Sequence, residues 1–237
     1  MRSLPSQIFT FISTAYNFFY WFTKKQIYKN YGKNYIFDVK IDDFDYKLTF
    51  RNQPITANIV QRIEGRRERE TLAIYKSIIK PGMNVLELGA CFGEFTVLLD
   101  HLVTQSGKVI AVEGTPNIFS ILKKNFEINK LKNTEIHSLF ISNADKDVIF
   151  DTKDNHPYNA INRLKNKELN KISINEVIQK KTKISEFLNK INFKPDVILM
   201  DIEGFEVDVI EDLFLRSDIK INPVILFEMH PQLYECH

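Results

Sequence analysis

From Asn84 onward the sequence alternates short, continuously apolar runs with longer stretches of helical period. Asn84–Leu88 reads as a strand, Glu94–Val103 as a helix, Lys108–Glu113 as a strand, and Pro116–Ile128 as a helix capped by Thr115. Strand candidates follow at Glu135–Ile141 and Val148–Thr152, and then a polar stretch rich in Asn and Lys, Lys153–Lys171, breaks the rhythm. It resumes with a helix at Ile184–Ile191, the apolar run "DVILMD" (196–201), a helix at Phe205–Leu215 and "PVILFEM" (223–229). Strands apolar throughout their length must be covered on both faces, so the alternation predicts an α/β fold with a doubly wound, mostly parallel sheet. With 237 residues, 44% of them hydrophobic, the chain can bury a core of that size.

The stretch "VLELGACFGEFTVLL" (85–99) carries small residues at Gly89, Ala90 and Gly93, where the first strand turns into the first helix. In a doubly wound sheet that turn lies against the ligand, and small residues let the backbone approach closely. The spacing is G-x-x-x-G, which weighs against the G-x-G-x-x-G of dinucleotide sites and so against a NAD-type oxidoreductase. Acids end the first two strands, Glu87 and, 26 residues on, Glu113. A carboxylate at the end of the second strand can accept hydrogen bonds from both ribose hydroxyls of an adenosine. Acids beside the loop also suit a cationic cofactor better than a polyphosphate. S-adenosylmethionine, an adenosine bearing a sulfonium, meets both conditions. The plainer alternative is a structural turn flanked by surface acids.

Five blocks, "VLELGACFGEFTVLL", "VIAVEGTPNIFSILKKNFEIN", "LFISNADKDVIF", "PDVILMDIEGFEVDVI" and "ILFEMHP", together resemble the FkbM family of S-adenosylmethionine-dependent methyltransferases over about residues 70–231. The most specific is "DIEGFE", Asp201 to Glu206, standing where that family has an Asp-Val-Glu-Gly-x-Glu block. The resemblance implies a Rossmann-like class I methyltransferase fold and transfer to a hydroxyl of a sugar, glycolipid or natural product. It implies a cofactor pocket of Glu87, Gly89, Ala90, Gly93 and Glu113, with Ser142 near the adenine and Asp201 and Glu203 between cofactor and acceptor. Departures are Glu87 for the usual Asp, Gly114 where Pro commonly follows the second acid, and an end six residues after Pro231, where the fold ordinarily continues. A truncation, or N-terminal segments covering the open sheet edge, would account for the last. A fold that has lost catalysis and serves as a membrane-associated binding or scaffold protein is the alternative function.

An alcohol acceptor must lose a proton, so a base is required. Asp201 and Glu203 follow one buried strand, and Glu228 and His230 flank the end of the next, so adjacent strand ends can bring them together. Asp201 and Glu203 are the favoured orienting or basic groups, with His230 the next candidate. Capping of a helix N-terminus is the structural alternative for Glu203 and Glu206. A magnesium-type ion on Asp201, Glu203 and Glu228 is compatible with oxygen ligands but not favoured. Cys91 reads as a small packing residue; with Cys236 it makes neither a disulfide framework nor a metal motif, so a reducing, cytoplasmic compartment is the default. The stretch Lys153–Lys183 reads either as a lid over the acceptor or as a solvated insertion.

The rest of the chain is an N-terminal extension. Ser3 to Thr23 is uncharged and dense in aromatics, followed by Lys24 and Lys25. Ile8, Phe11, Ile12, Ala15, Phe18, Phe19 and Phe22 share one helical face. Residues 1–25 therefore read as an amphipathic helix, either packed on protein, including a second copy in a homo-oligomer, or peripheral at a membrane surface. Residues 26–69 follow as a hairpin and helix extension, with a hairpin over 35–50 turning at Asp42–Asp43 and a charge run, 62–70, expected as a solvated face. Residues 70–237 form the cofactor-binding domain. A net charge of only +2 does not by itself suggest a nucleic-acid partner, and the resemblance implies a small-molecule or glycan hydroxyl as the acceptor.

Overall fold

A computed structural model describes residues 18–29, 31, 35–51, 53–143, 148–151, 176–179, 181–216 and 218–229. The chain divides into two compact units, Met1–Arg69 and Glu70–His237.

In the first unit a helix, α1, covers residues 18–29. A hairpin follows, β1 (Phe37–Ile41) and β2 (Phe44–Leu48), antiparallel in the register Phe37↔Leu48 to Ile41↔Phe44. Its turn is Asp42–Asp43, with Asp42 at φ 54°. The alternation of apolar and polar residues puts Phe37, Val39, Ile41, Tyr46 and Leu48 inside. Helix α2 (Ala57–Ile63) packs on β1; its N-cap Thr56 accepts a hydrogen bond on Oγ1 from the Ile59 N–H at 3.3 Å. The chain leaves α2 at Gly65, φ 62°, where a Cβ would lie 2.4 Å from the Lys40 carbonyl oxygen. The charge run is only partly solvated: Arg62 is buried and donates from Nε to Asn58 Oδ1 at 2.9 Å.

Glu64 fastens α1. One carboxylate oxygen accepts from the Tyr20 hydroxyl and pairs with Arg66 at 3.0 Å, and the other pairs with Lys24 at 2.8 Å. Burial pushes the Glu64 pKa up, but the Lys24 and Tyr20 hydrogen bonds outweigh it and hold it below the usual range. Tyr20, Lys24 and Tyr28 recur every four residues, so this row forms the inward face of α1.

The second unit begins with α3 (Arg69–Ile78), apart from its first residue, and is built on a parallel sheet of five strands in the order β11-β10-β3-β4-β5. These are β3 (Asn84–Leu88), β4 (Lys108–Glu113), β5 (Thr134–Ser138), β10 (Val197–Met200) and β11 (Val224–Phe227). Helix α4 (Glu94–Val103) connects β3 to β4, and α5 (Pro116–Asn129) connects β4 to β5. The side chains of β3 alternate between two cores. Leu86 and Leu88 join Ile198, Met200 and α6 (Ile184–Ile191) on one face, whereas Val85 meets Leu99 and Val103 of α4 on the other. This is the Rossmann-like α/β fold that the strand–helix alternation predicts.

Three elements differ from the sequence reading. The strand expected at Glu135–Ile141 breaks at Leu139, because β4 ends at Glu113 opposite Ser138; beyond that point β6 (Phe140–Ile141) pairs instead with β9 (Lys181–Thr182). The strand expected at Val148–Thr152 is β7 (Val148–Asp151), paired antiparallel with β8 (Glu176–Gln179) outside the main sheet. The helix expected at Phe205–Leu215 is α7 (Glu206–Glu211), continued by a π-helical turn at Asp212–Arg216. The buried Asp212 carboxylate accepts from the Ser185 N–H at 2.8 Å, satisfying an otherwise orphaned donor in the first turn of α6. Most of the Lys153–Lys183 stretch, like residues 1–17, lies outside the described residues. Among the described residues no helix is long and apolar enough to cross a membrane.

Removing the Glu64 carboxylate should release α1 before anything else. In Glu64→Ala, amide exchange in residues 18–29 is expected to quicken by about tenfold, since one hydrogen bond to a charged group is worth about 1.5 kcal/mol. Exchange in β3 and β4 should not change; unchanged exchange in the helix would refute the role of Glu64.

Candidate functional site

The sheet order reverses between β3 and β10, for the chain runs outward from β3 through β4 to β5 and then returns to β10 on the opposite side. Side connections diverge there, and a crevice opens outside the carboxyl ends of the two strands. The loops leaving β3 and β10 bound it and touch. A Cβ on Gly89, φ 87°, would stand 1.9 Å from the Asp201 carbonyl oxygen. No other residue fits that position without moving the backbone.

Gly89, Cys91 and Gly93 all have positive φ, at 87°, 50° and 84°, so the loop curls tightly from β3 into α4. The N–H groups of Gly89 and Ala90 both donate to the Val112 carbonyl, at 2.9 and 3.0 Å, folding the loop onto the end of β4. Cys91 carries the least favourable backbone of the three, being neither glycine nor asparagine. Its N–H is held by Glu113 Oε2 at 2.9 Å, while Glu113 Oε1 accepts from the Thr115 N–H at 2.6 Å. One carboxylate thus clamps the cofactor-type loop to the entry of α5.

Glu87 shares the α4-facing side of β3 with Val85, and Thr96 of α4 donates from Oγ1 to its Oε2 at 2.6 Å. Burial pushes the Glu87 pKa up to about 7, against the pull of that hydrogen bond and with help from the Glu94 and Glu113 charges. Burial also raises Glu113, against the hydrogen bonds from Thr115, Cys91 and Gly114. Glu94, in the first turn of α4, is buried beside them. No lysine or arginine occurs between Glu87 and Gly107 or between Val109 and Leu122. These two strand–loop–helix connections therefore supply negative charge and no cationic side chain of their own.

On the other bank, Asp201 follows β10 with its N–H on the Leu88 carbonyl at 3.1 Å. Glu203 and Gly204 follow at φ 53° and 102°. Two successive left-handed residues turn the loop sharply, and the wholly buried Glu206 stabilises it by accepting from the Ile202 N–H at 3.1 Å and the Gly204 N–H at 3.0 Å. Glu206 therefore holds the turn that precedes α7, whose N-cap is Phe205. Glu203 is left half-buried at the apex.

A family model described as the methyltransferase FkbM domain matches residues 87–236, more than half of the chain and all of the banks just described. The chain belongs to the FkbM methyltransferase family. Solved structures to which the chain is similar include the precorrin-6y C5,15-methyltransferase of Geobacter metallireducens, at 14% identity and TM-score 0.42 over 68% of this chain and 63% of that one. A SAM-dependent methyltransferase from Aquifex aeolicus has 22% identity and TM-score 0.29 over 36% of this chain and 44% of that one. Aeropyrum pernix fibrillarin, solved with S-adenosyl-L-methionine, has 13% identity and TM-score 0.34 over 57% of this chain and 42% of that one. The matched part spans less than two thirds of each of these proteins, and the likenesses are too distant to bear on activity. No curated protein matches the chain.

The FkbM domain brings Glu87, Gly89, Ala90, Gly93 and Glu113 together around one loop, with Asp201 against it. The buried carboxylates fit an adenosine that carries positive charge: a cation would offset part of the burial that chiefly raises Glu87 and of the Glu94 and Glu113 charges that add to it, whereas a pyrophosphate would increase the repulsion. Ser142 donates from its hydroxyl to Asp208 Oδ2 at 2.9 Å and from its N–H to the Thr182 carbonyl at 3.3 Å. His230 lies outside the described residues. Among the described residues no group of three or more His, Cys, Asp or Glu could hold a metal ion, so Asp201, Glu203 and Glu228 do not form a ligand set. Thr96, Glu94 and Glu206 brace or adjoin these loops and are not among the site residues that the sequence points to. The Glu-to-Thr spacing of nine residues from β3 into α4 was the signal for Thr96.

Glu87 makes the stability of the FkbM domain depend on pH. Its folded pKa lies above the unfolded value, so the native state holds a proton that the unfolded chain has lost between about pH 4.5 and 7. Stability should fall through that window by about 3 kcal/mol from this group alone and then level. In Glu87→Gln, denaturant titrations at pH 5 and 8 should lack that part of the fall; the same fall in both proteins would show that Glu87 is not the source.

Proposed function

We propose that this protein transfers a methyl group from S-adenosylmethionine to a hydroxyl oxygen of a sugar, glycolipid or natural-product acceptor. The observation that carries the reading is the Glu113 carboxylate, buried at the end of β4 and holding the Cys91 and Thr115 N–H groups, beside a loop kept small at Gly89, Ala90 and Gly93. Family membership supplies the rest of the support.

S-adenosylmethionine supplies an electrophilic methyl group on a sulfonium centre. Glu113 would hold the ribose hydroxyls, and its backbone bonds from Cys91 and Thr115 keep it from swinging away. Gly89 lets the loop close on the Asp201 carbonyl, and Gly93 lets it close on Leu122. Glu87 and Glu94 supply the negative potential that favours a cation, strongest when Glu87 is ionised. Asp201 and Glu203 would orient the acceptor hydroxyl and take up its proton, with His230 the next candidate for that proton. Alignment of the acceptor and exclusion of water account for most of the acceleration, as in other in-line displacements. Glu206 fixes the turn that carries Glu203 and touches neither substrate nor cofactor.

Calorimetry with S-adenosylhomocysteine tests the site and labelled methyl transfer to a panel of sugars and polyols tests the reaction. Glu113→Ala should weaken binding by more than about tenfold. Asp201→Asn should lower turnover by about 10²-fold or more while binding stays within about twofold. Binding without transfer to any hydroxyl, amine or thiol acceptor would favour a scaffold over an enzyme. Transfer to nitrogen or sulfur alone would overturn the hydroxyl assignment.

A further inference from the structure

We propose that the outward face of α1 docks the first unit onto an anionic phospholipid bilayer, Phe18, Phe19 and Phe22 entering the acyl boundary and Lys25 and Lys29 meeting the phosphates. The proposal stands on the first unit alone and is independent of the methyl-transfer reading.

The bonds to Glu64 determine which way the helix faces. With Tyr20 and Lys24 turned inward to that carboxylate, and Tyr28 edge-on to Phe37 at 5.7 Å, the opposite face is presented to solvent. That face carries Phe18, Phe19 and Phe22, which are 65%, 66% and 54% exposed. The rings form one cluster: Phe18 stacks on Phe22 at 6.3 Å and meets Phe19 edge-on at 5.8 Å. Three adjacent exposed phenylalanines form a contiguous apolar patch of the kind that marks a binding surface.

The charge pattern selects the partner. Phe18, Phe22 and Lys29 fall within about 40° of one another on the helical wheel, with Lys25 about 20° to one side of Phe18. Lys25 lies about 10 Å along the axis from Phe18 and Lys29 about 16 Å. A helix whose aromatic end sinks about 5–10 Å into the interface places ammonium groups at that distance near the phosphate layer. Both lysines are exposed, and both line a cavity of about 350 Å³ with Tyr28, Tyr31, Tyr35 and Phe50 among its walls. Residues 18–29 contain no acid, and the preceding sequence from Ser3 continues the uncharged pattern. Such a face is repelled by nothing on an anionic bilayer. Paired with a second copy in parallel, it would set lysine against lysine.

The full chain would be mixed with vesicles of phosphatidylcholine, with or without 30 mol% phosphatidylserine, and bound protein separated by flotation. The chain has a single tryptophan, Trp21, on this helix, so its emission reports the event independently. Binding to the anionic vesicles with a blue shift is expected. Lys25→Glu with Lys29→Glu should weaken it by about fivefold or more per lysine, and high salt should act in the same direction. Phe18→Ser, Phe19→Ser and Phe22→Ser together should weaken it by more than about tenfold. All five positions are exposed, so circular dichroism should match the wild type. A folded wild-type chain that ignores anionic vesicles, equal binding to neutral ones, or variants that bind like the wild type would overturn the proposal. Loss of a dimer in the phenylalanine variant, seen by sedimentation without vesicle binding, would instead identify a second copy as the occupant.

Discussion

The Glu113 carboxylate is the constraint on which the site depends. It lies buried at the end of a central strand, where an unpaired charge would cost several kcal/mol. Two backbone N–H groups from different connections offset part of that cost, and in doing so join the loop after β3 to the start of α5. Cys91 tolerates a left-handed backbone because its N–H has this partner. If Glu113 were absent, both the strain at Cys91 and the two orphaned donors would work against the loop geometry, and the cradle at Gly89 and Gly93 would lose its support.

Around this clamp the domain concentrates negative charge in an apolar setting. Glu87 faces the same core as Val85 and is held by Thr96, while Glu94 and Glu113 stand near enough to raise its pKa further. A fold optimised for stability alone would place hydrophobic residues there. The arrangement costs stability, and a bound cation would offset part of that cost, a trade expected where a site is organised before its ligand arrives. The β10 bank follows the same logic, with strained backbone at Glu203 and Gly204 stabilised by a buried acid, Glu206.

Much of this was legible in the sequence because its signals are local. The apolar runs of β3, β4 and β10 and the period of α4 and α5 each lie within a dozen residues, and the acids at 87 and 113 follow from where those strands end. The family blocks then drew the same positions into one site, and the family match includes them. What was misread depended on partners far along the chain. Leu139 ends a strand because β4 has run out of residues to pair with, which no pattern around 135–141 reveals. Val148–Asp151 looks like one more sheet strand yet pairs with Glu176–Gln179. Arg62, by contrast, belongs to a charge run but is buried with a local partner, Asn58 one helical turn before it.

The sequence by itself determined the layered α/β architecture, the small-residue loop and the presence of an acid at each of two strand ends, because periodicity and residue size act through neighbouring positions. Only the tertiary structure decided which oxygen each acid uses, that Gly89 must be glycine because the Asp201 carbonyl lies where its Cβ would be, and that Ser142 is committed to Asp208. It also decided which face of α1 is presented to solvent, because that orientation is set by Glu64, more than thirty residues beyond the helix. Contacts between distant segments arise from how the strands order and pack, and strand order is a property of the whole chain.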